Sequence, residues 1–293
     1  MSDRGDEKYA KAAKQSRRDV LGVAVVLVIV AAYCCFVFFN NGTPTMPLKK
    51  KAHLIDSTHD IEQPSMAELQ ALVVQHDASV RSIKEQVDIF ETDPGAQAAA
   101  TLLQEATRKL LHRRYGVKEP YRVKVELEFQ DTIVDFEEHG KDGSFTVELA
   151  PSALQPHSIY TFLEVSRQWK GGAFHRIAPH VLQVMVKTHT IKHLAFQEYS
   201  KDYPHKQRTV GYAGRPSGPA FYVSIQDNSR NHGPGSQQKH NPYEADSCFG
   251  TVVEGWEDSV LRITKVQGNG FLGDAKKHVL IKSMTIQVPD SSG

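Results

Sequence analysis

His189 and His193 stand four residues apart, a spacing that puts two imidazoles on one face of a helix, and His232, His240 and Asp246 share one polar stretch. Imidazoles and carboxylates so placed are the raw material of a metal site. Neither group comes with a cysteine pair or an H-E-x-x-H run, so these read as surface histidines, and no metal or other cofactor is assigned. Cys34 and Cys35 lie together in an apolar run and leave only Cys248 elsewhere, which rules out a disulfide framework. There is no phosphate-cradling glycine loop, dinucleotide fingerprint or G-x-S-x-G elbow, so nucleotide-dependent and serine-hydrolase chemistry lack support. With 35 Lys and Arg against 34 Asp and Glu the net charge is +1, which gives no electrostatic ground for a nucleic-acid partner. Any chemistry must come from side chains positioned by a folded region.

The elements that could do the positioning begin late in the chain. Residues 20–39 read VLGVAVVLVIVAAYCCFVFF without a charge, and as a helix such a run spans about 30 Å, the thickness of a bilayer's hydrocarbon. It exceeds the about 7 to 15 residues of a signal-peptide core and lacks a small-x-small cleavage pattern, so a retained anchor is expected. Arg4, Lys8, Lys11, Lys14, Arg17 and Arg18 precede it, whereas Lys49, Lys50 and Lys51 are the nearest cations after it. The positive-inside rule then places residues 1–19 in the cytoplasm and the remainder in a lumen or outside the cell, a single-pass type II arrangement.

Residues 40–63 carry turn formers and no sustained period, as a linker does. Residues 64–116 are expected to form a helical hairpin or a coiled-coil stalk. Ser65 and Glu68 form a capping-box pair, and Met66, Leu69, Val73, His76, Val80, Ile83, Val87 and Phe90 recur at spacings of three and four. A second helix is predicted to start at Asp93-Pro94, and a homo-oligomer through the seam is one outcome of this pattern. Beyond Gly116 the period becomes two, in Tyr121, Val123, Val125, Leu127 and Phe129 and again in Phe145, Val147 and Leu149. A helix is predicted over 156–169, with strands over 173–177, 181–186, 220–225, 248–253 and 279–288. The fold class is mainly β, a closed antiparallel barrel capped by helices.

Six ordered segments in this region carry a resemblance. FTVELAP, then HSIYTFLEVSRQW and GGAFHRIAP, the later AGRPSGPAFYVSI, and FGTVVEGWEDSVLRI before the closing KSMTIQVP are similar to the successive blocks of the cyclophilin-type peptidyl-prolyl isomerases. The resemblance spans about residues 120–290 and implies a cyclophilin-like barrel acting on proline-containing polypeptides. Prolyl isomerisation needs no cofactor, because its barrier of about 18–20 kcal/mol is the double-bond character of the C–N bond. A guanidinium donating to the twisted amide beside an apolar pocket lowers that barrier. The resemblance implies that Arg176 is the catalytic arginine, that Phe221 floors the proline pocket, and that Phe174, Val181, Leu182, Gln183 and Ala220 contact the substrate.

The departures from the family are specific. Val181 and Leu182 replace an aromatic and a methionine, and Gln183 stands one residue early, a displacement that on a strand reverses the face. Ala220 replaces a glutamine, while Asp246 and Asn241 stand where the family has a histidine and a tryptophan. The stretch 226–247 is longer than its equivalent. Two functions follow from this mixture: a membrane-anchored isomerase of reduced activity on lumenal or extracellular clients, or a decayed cyclophilin-fold module that binds a protein partner.

Overall fold

The computed structural model describes residues 63–289 apart from 132, 134 and 237–239. The tail, the apolar run over 20–39 and all but the end of the linker lie outside the described residues. Among the described residues no helix is long and apolar enough to cross a membrane.

Alternation builds the sheet. In β1 (Arg122–Glu128) Val123, Val125 and Leu127 point inward and are fully buried, and β2 (Asp142–Leu149) opposes them antiparallel with Phe145 and Val147. The single-turn α3 (Phe136–His139) lies between these strands. The remaining strands are β3 (Gly172–Ile177), β4 (Val181–Val186), β5 (Thr209–Tyr212), β6 (Phe221–Ser224), β7 (Cys248–Glu254), β8 (Gly270–Phe271) and β9 (Val279–Gln287). Their order is β4-β6-β5-β7-β2-β1-β9-β3, and β3 pairs back onto β4, so eight antiparallel strands close a barrel. The two-residue β8 pairs with the end of β3, whereas β9 pairs with its beginning. Closure removes the free edges that an open sheet would expose.

The sequence pattern missed β5 because all four of its residues are buried and no alternation marks it. The predicted helix over 156–169 is α4 (Pro156–Arg167), with proline at its start. Its Ile159, Phe162 and Leu163 are fully buried in the barrel core, and the Phe162 ring lies 5.3 Å from that of Phe221 and 4.8 Å from that of Phe249. The buried Glu198 accepts from the His157 and Ser158 amides at 3.3 and 2.7 Å, so a carboxylate from a distant loop satisfies the first turn of α4.

Two longer helices precede the barrel. α1 (Met66–Lys84) opens with the capping box, Glu68 accepting from the Ser65 amide at 2.7 Å while the Ser65 hydroxyl accepts from the Glu68 amide at 3.2 Å. α2 (Pro94–Tyr115) is capped by Asp93, whose Oδ1 accepts from the Ala96 amide at 2.7 Å. The pair forms a hairpin. Val80, Phe90, Ala96, Ala100 and Leu103 pack together with Ala195 and Phe196 from the barrel's loops, and the alanines let the backbones approach. The end of α2 is tied to α4, where Glu164 accepts from Arg114 at 2.5 Å, Tyr115 at 2.8 Å and Arg167 at 2.7 Å. Burial opposes ionisation of Glu164, but these donors outweigh it and hold its carboxyl down to about 2. The apolar seam anticipated for a coiled-coil stalk is thus covered within one chain, and hairpin and barrel belong to one compact unit, Glu62–Gly293.

Candidate functional site

A bulge in β3 sets the geometry around Arg176. Phe174 pairs with Val184 and Arg176 with Gln183, so two residues of β3, His175 and Arg176, oppose a single step of β4. Without the extra residue Arg176 would share the parity of Phe174, which is fully buried inside the barrel. With it, Arg176 turns to the outer face and its Nη1 donates to Gln183 Oε1 at 2.9 Å. This corrects the expectation that the early position of Gln183 reverses its face away from Arg176. Pairing is set across the ladder, and the residues opposite one another share a face wherever the sequence places them.

On its other side Arg176 pairs with Phe271 of β8, the guanidinium carbon lying 5.0 Å from the ring centre. Phe271 is 67% exposed. The His175 ring lies 5.4 Å from Phe271 and 6.4 Å from His278. His175 is held below the ordinary histidine value, first by burial, then by His278 and Arg176. His180 is lowered for the same first reason, with His232 and Arg176 adding to it. Imidazoles flanking Arg176 on two sides therefore favour the neutral form.

The other expected pocket residues divide between two faces. Phe174, Leu182 and Phe221 point into the barrel and join its core. Phe221 is therefore not the floor of a site shared with Arg176; its ring meets Phe162 instead. The aromatic on the Arg176 face is Tyr222, which pairs with Gln183 across β4 and β6. Alternation in Phe221-Tyr222-Val223-Ser224 carried the signal, since the purely apolar positions and the hydroxyl-bearing ones fall on opposite faces. Val181 also faces outward and is buried in a small cluster with Ala178 and Tyr222, while Ala220 is half-buried and its carbonyl accepts from the Ala213 amide at 2.8 Å.

The Tyr222 ring is covered by the chain's own side chains and is 2% exposed. The His232 ring, from the single-turn α5 (Ser229–His232), stacks on Tyr222 at 4.6 Å and 29°. His180 stacks on His232 at 5.6 Å. The Tyr222 hydroxyl lies 3.2 Å from His205 Nδ1 and 3.3 Å from Asp246 Oδ2, and His232 Nδ1 lies 2.6 Å from the same carboxylate oxygen. Asp246 Oδ1 is 2.9 Å from Arg215 Nη2. Burial lowers His205 to about 4 and pushes the Tyr222 phenol far up, so this cluster keeps a neutral imidazole and a neutral phenol around one carboxylate. Gly211 belongs to the same arrangement, because a Cβ there would stand 2.8 Å from the Tyr222 hydroxyl.

Asp246, expected only as a departure from the family's histidine, is thus the centre of the buried network. Asn241 lies apart from Arg176, with its amide donating to Glu91 at 2.9 Å. His240 lines a cleft beside the hairpin. Among the described residues no group of histidine, cysteine and carboxylate side chains is arranged to hold a metal ion.

No family model matches the sequence, and no curated protein matches it. Among solved structures, the chain is similar to a cyclophilin-type peptidyl-prolyl cis-trans isomerase of Cryptosporidium parvum at 14% identity, over 57% of this chain and 99% of that one, with a TM-score of 0.40. It is similar to a cyclophilin of Hirschia baltica at 14% identity, over 55% of this chain and 73% of that one, with a TM-score of 0.37.

Proposed function

We propose that the chain is a cyclophilin-like protein held at a membrane by residues 20–39, which takes proline-containing client segments at its Arg176 face and isomerises them weakly. The barrel then lies in an endomembrane lumen or outside the cell. The observation that carries the reading is the Arg176–Gln183 pair at 2.9 Å. Gln183 holds Nη1 of the half-buried Arg176, and the guanidinium lies beside the exposed Phe271 ring. A planar donor held in this way favours a twisted prolyl amide over either planar form, with no acid, base or cofactor.

The covered floor favours a second reading, a protein-binding module without turnover, because a prolyl ring cannot rest on Tyr222 while His232 does. Turnover of a chromogenic Ala-Pro tetrapeptide by the full-length chain in mild detergent separates the two. Removing one preorganised donor typically costs about 10²–10³ in rate, so Arg176→Ala is expected to abolish a small acceleration while leaving the thermal midpoint unchanged. Equal rates for wild type, Arg176→Ala and buffer would leave the binding module.

A further inference from the structure

His232 is seated from more than one direction. Its ring lies between Tyr222 and His180, its Nδ1 meets Asp246, and its carbonyl accepts from the Asp246 amide at 2.9 Å. Beneath it Tyr222 and Val181 are 2% and 1% exposed, so nothing of the floor is open while the ring is in place.

The segment that holds His232 is itself held by the helical hairpin. Asp246 pairs with Arg215 at 2.9 Å, Arg215 pairs with Glu244 at 3.3 Å, and Glu244 faces Lys84 at the end of α1 at 3.9 Å. Asn241 provides a second tie: its amide donates to Glu91 between α1 and α2, and its Oδ1 accepts from the Tyr243 and Glu244 amides at 3.1 and 3.2 Å. Between hairpin and loop lies a cleft of about 420 Å³ lined by Lys84, Phe90, Glu91, Arg215 and Glu244.

We propose that His232 is a built-in occupant of the proline site, and that the α1–α2 hairpin keeps it there through the chain Lys84–Glu244–Arg215–Asp246. This rests on the Arg176 face being the client site. The regulation follows from competition. A client binds only the fraction of molecules whose floor is open, so its apparent affinity is the intrinsic affinity reduced by that fraction. A force or partner that displaces the hairpin weakens the hold on Asp246 and raises the open fraction.

The test uses the full-length chain in mild detergent with a fluorescent Ala-Pro tetrapeptide, reading affinity and isomerisation together. His232→Gly, which removes the ring, is expected to tighten binding by roughly tenfold or more. Lys84→Ala combined with Glu91→Ala, two changes outside the site, is expected to tighten it by a smaller factor. Adding His232→Gly to that pair should give the affinity of His232→Gly alone, since one occupant is removed by either route. If His232→Gly does not fold, the Lys84→Ala, Glu91→Ala pair and His232→Asn decide the matter. Peptide binding that depends on Arg176 but is unchanged by the His232 and hairpin variants would overturn the proposal and leave the site reading intact. No binding by any folded variant would overturn both.

Discussion

The inner and outer faces of β3, β4 and β6 are built from the same three strands and obey different rules. Inside, Phe174, Leu182, Val184, Phe221 and Val223 meet as hydrocarbon, each essentially free of solvent. Outside, Arg176 bonds Gln183 at 2.9 Å, and Tyr222 meets a cluster of His205, His232 and Asp246 from the loops through contacts of 2.6–3.3 Å. The inner face is specified by volume, so apolar residues of similar size can replace one another at modest cost. The outer face is specified by partners, and losing one strands another buried polar group. A fold of this kind tolerates drift inside more readily than outside.

Phe221 separates the two faces by the largest effect. As a core residue it should cost about 3–5 kcal/mol when truncated to Ala, as large aromatic deletions do. Urea unfolding followed by circular dichroism would measure this. A loss below about 1 kcal/mol with weakened peptide binding would return Phe221 to the client site.

Acid should act on the outer face through His205. His205 has a folded value of about 4 against an ordinary 6.5, so between those pH values the unfolded chain holds a proton that the folded chain rejects. The stability contribution is present above 6.5 and lost as pH falls, by about 2 kcal/mol at pH 5. His205→Asn should flatten the slope of unfolding free energy between pH 7 and 5. His157, also held at about 4 by burial, supplies a slope that remains. A wild-type protein equally stable at pH 7 and 5 would mean that the folded chain protonates His205 as readily as the unfolded one.

The smallest effect belongs to Phe271. An exposed cation–π contact is worth about 0.5–1 kcal/mol, so Phe271→Ala should weaken peptide binding about two- to fivefold with no change in thermal midpoint. Titration at two salt concentrations would check it. A tenfold loss would mean that the ring touches the client rather than only orienting Arg176.

Much of the local structure was legible. The capping box at Ser65 and Glu68, the start of α2 at Asp93-Pro94 and the alternation of β1 and β2 are contacts within a few residues, and the sequence displays them directly. The site was less so. The bulge at His175 leaves no periodic mark, because the pattern that would reveal it is the register of the partner strand. The choice between Phe221 and Tyr222 turned on parity, which the strand's own alternation could have decided. The contact of His232 with Tyr222, and its dependence on Lys84 through three ion pairs, joins residues separated by long stretches of sequence. No local pattern encodes such contacts.

The bulge in β3 also bears on how relatives of this chain can be found. It absorbs one residue of β3 before Arg176, so Phe174 and Arg176, two positions apart in sequence, fall on opposite faces. A search that reads inside and outside from strict alternation places the arginine in the core. One that lets the period break by a residue within F-H-R keeps it on the outer face, and would gather sequences whose strand carries the same extra residue.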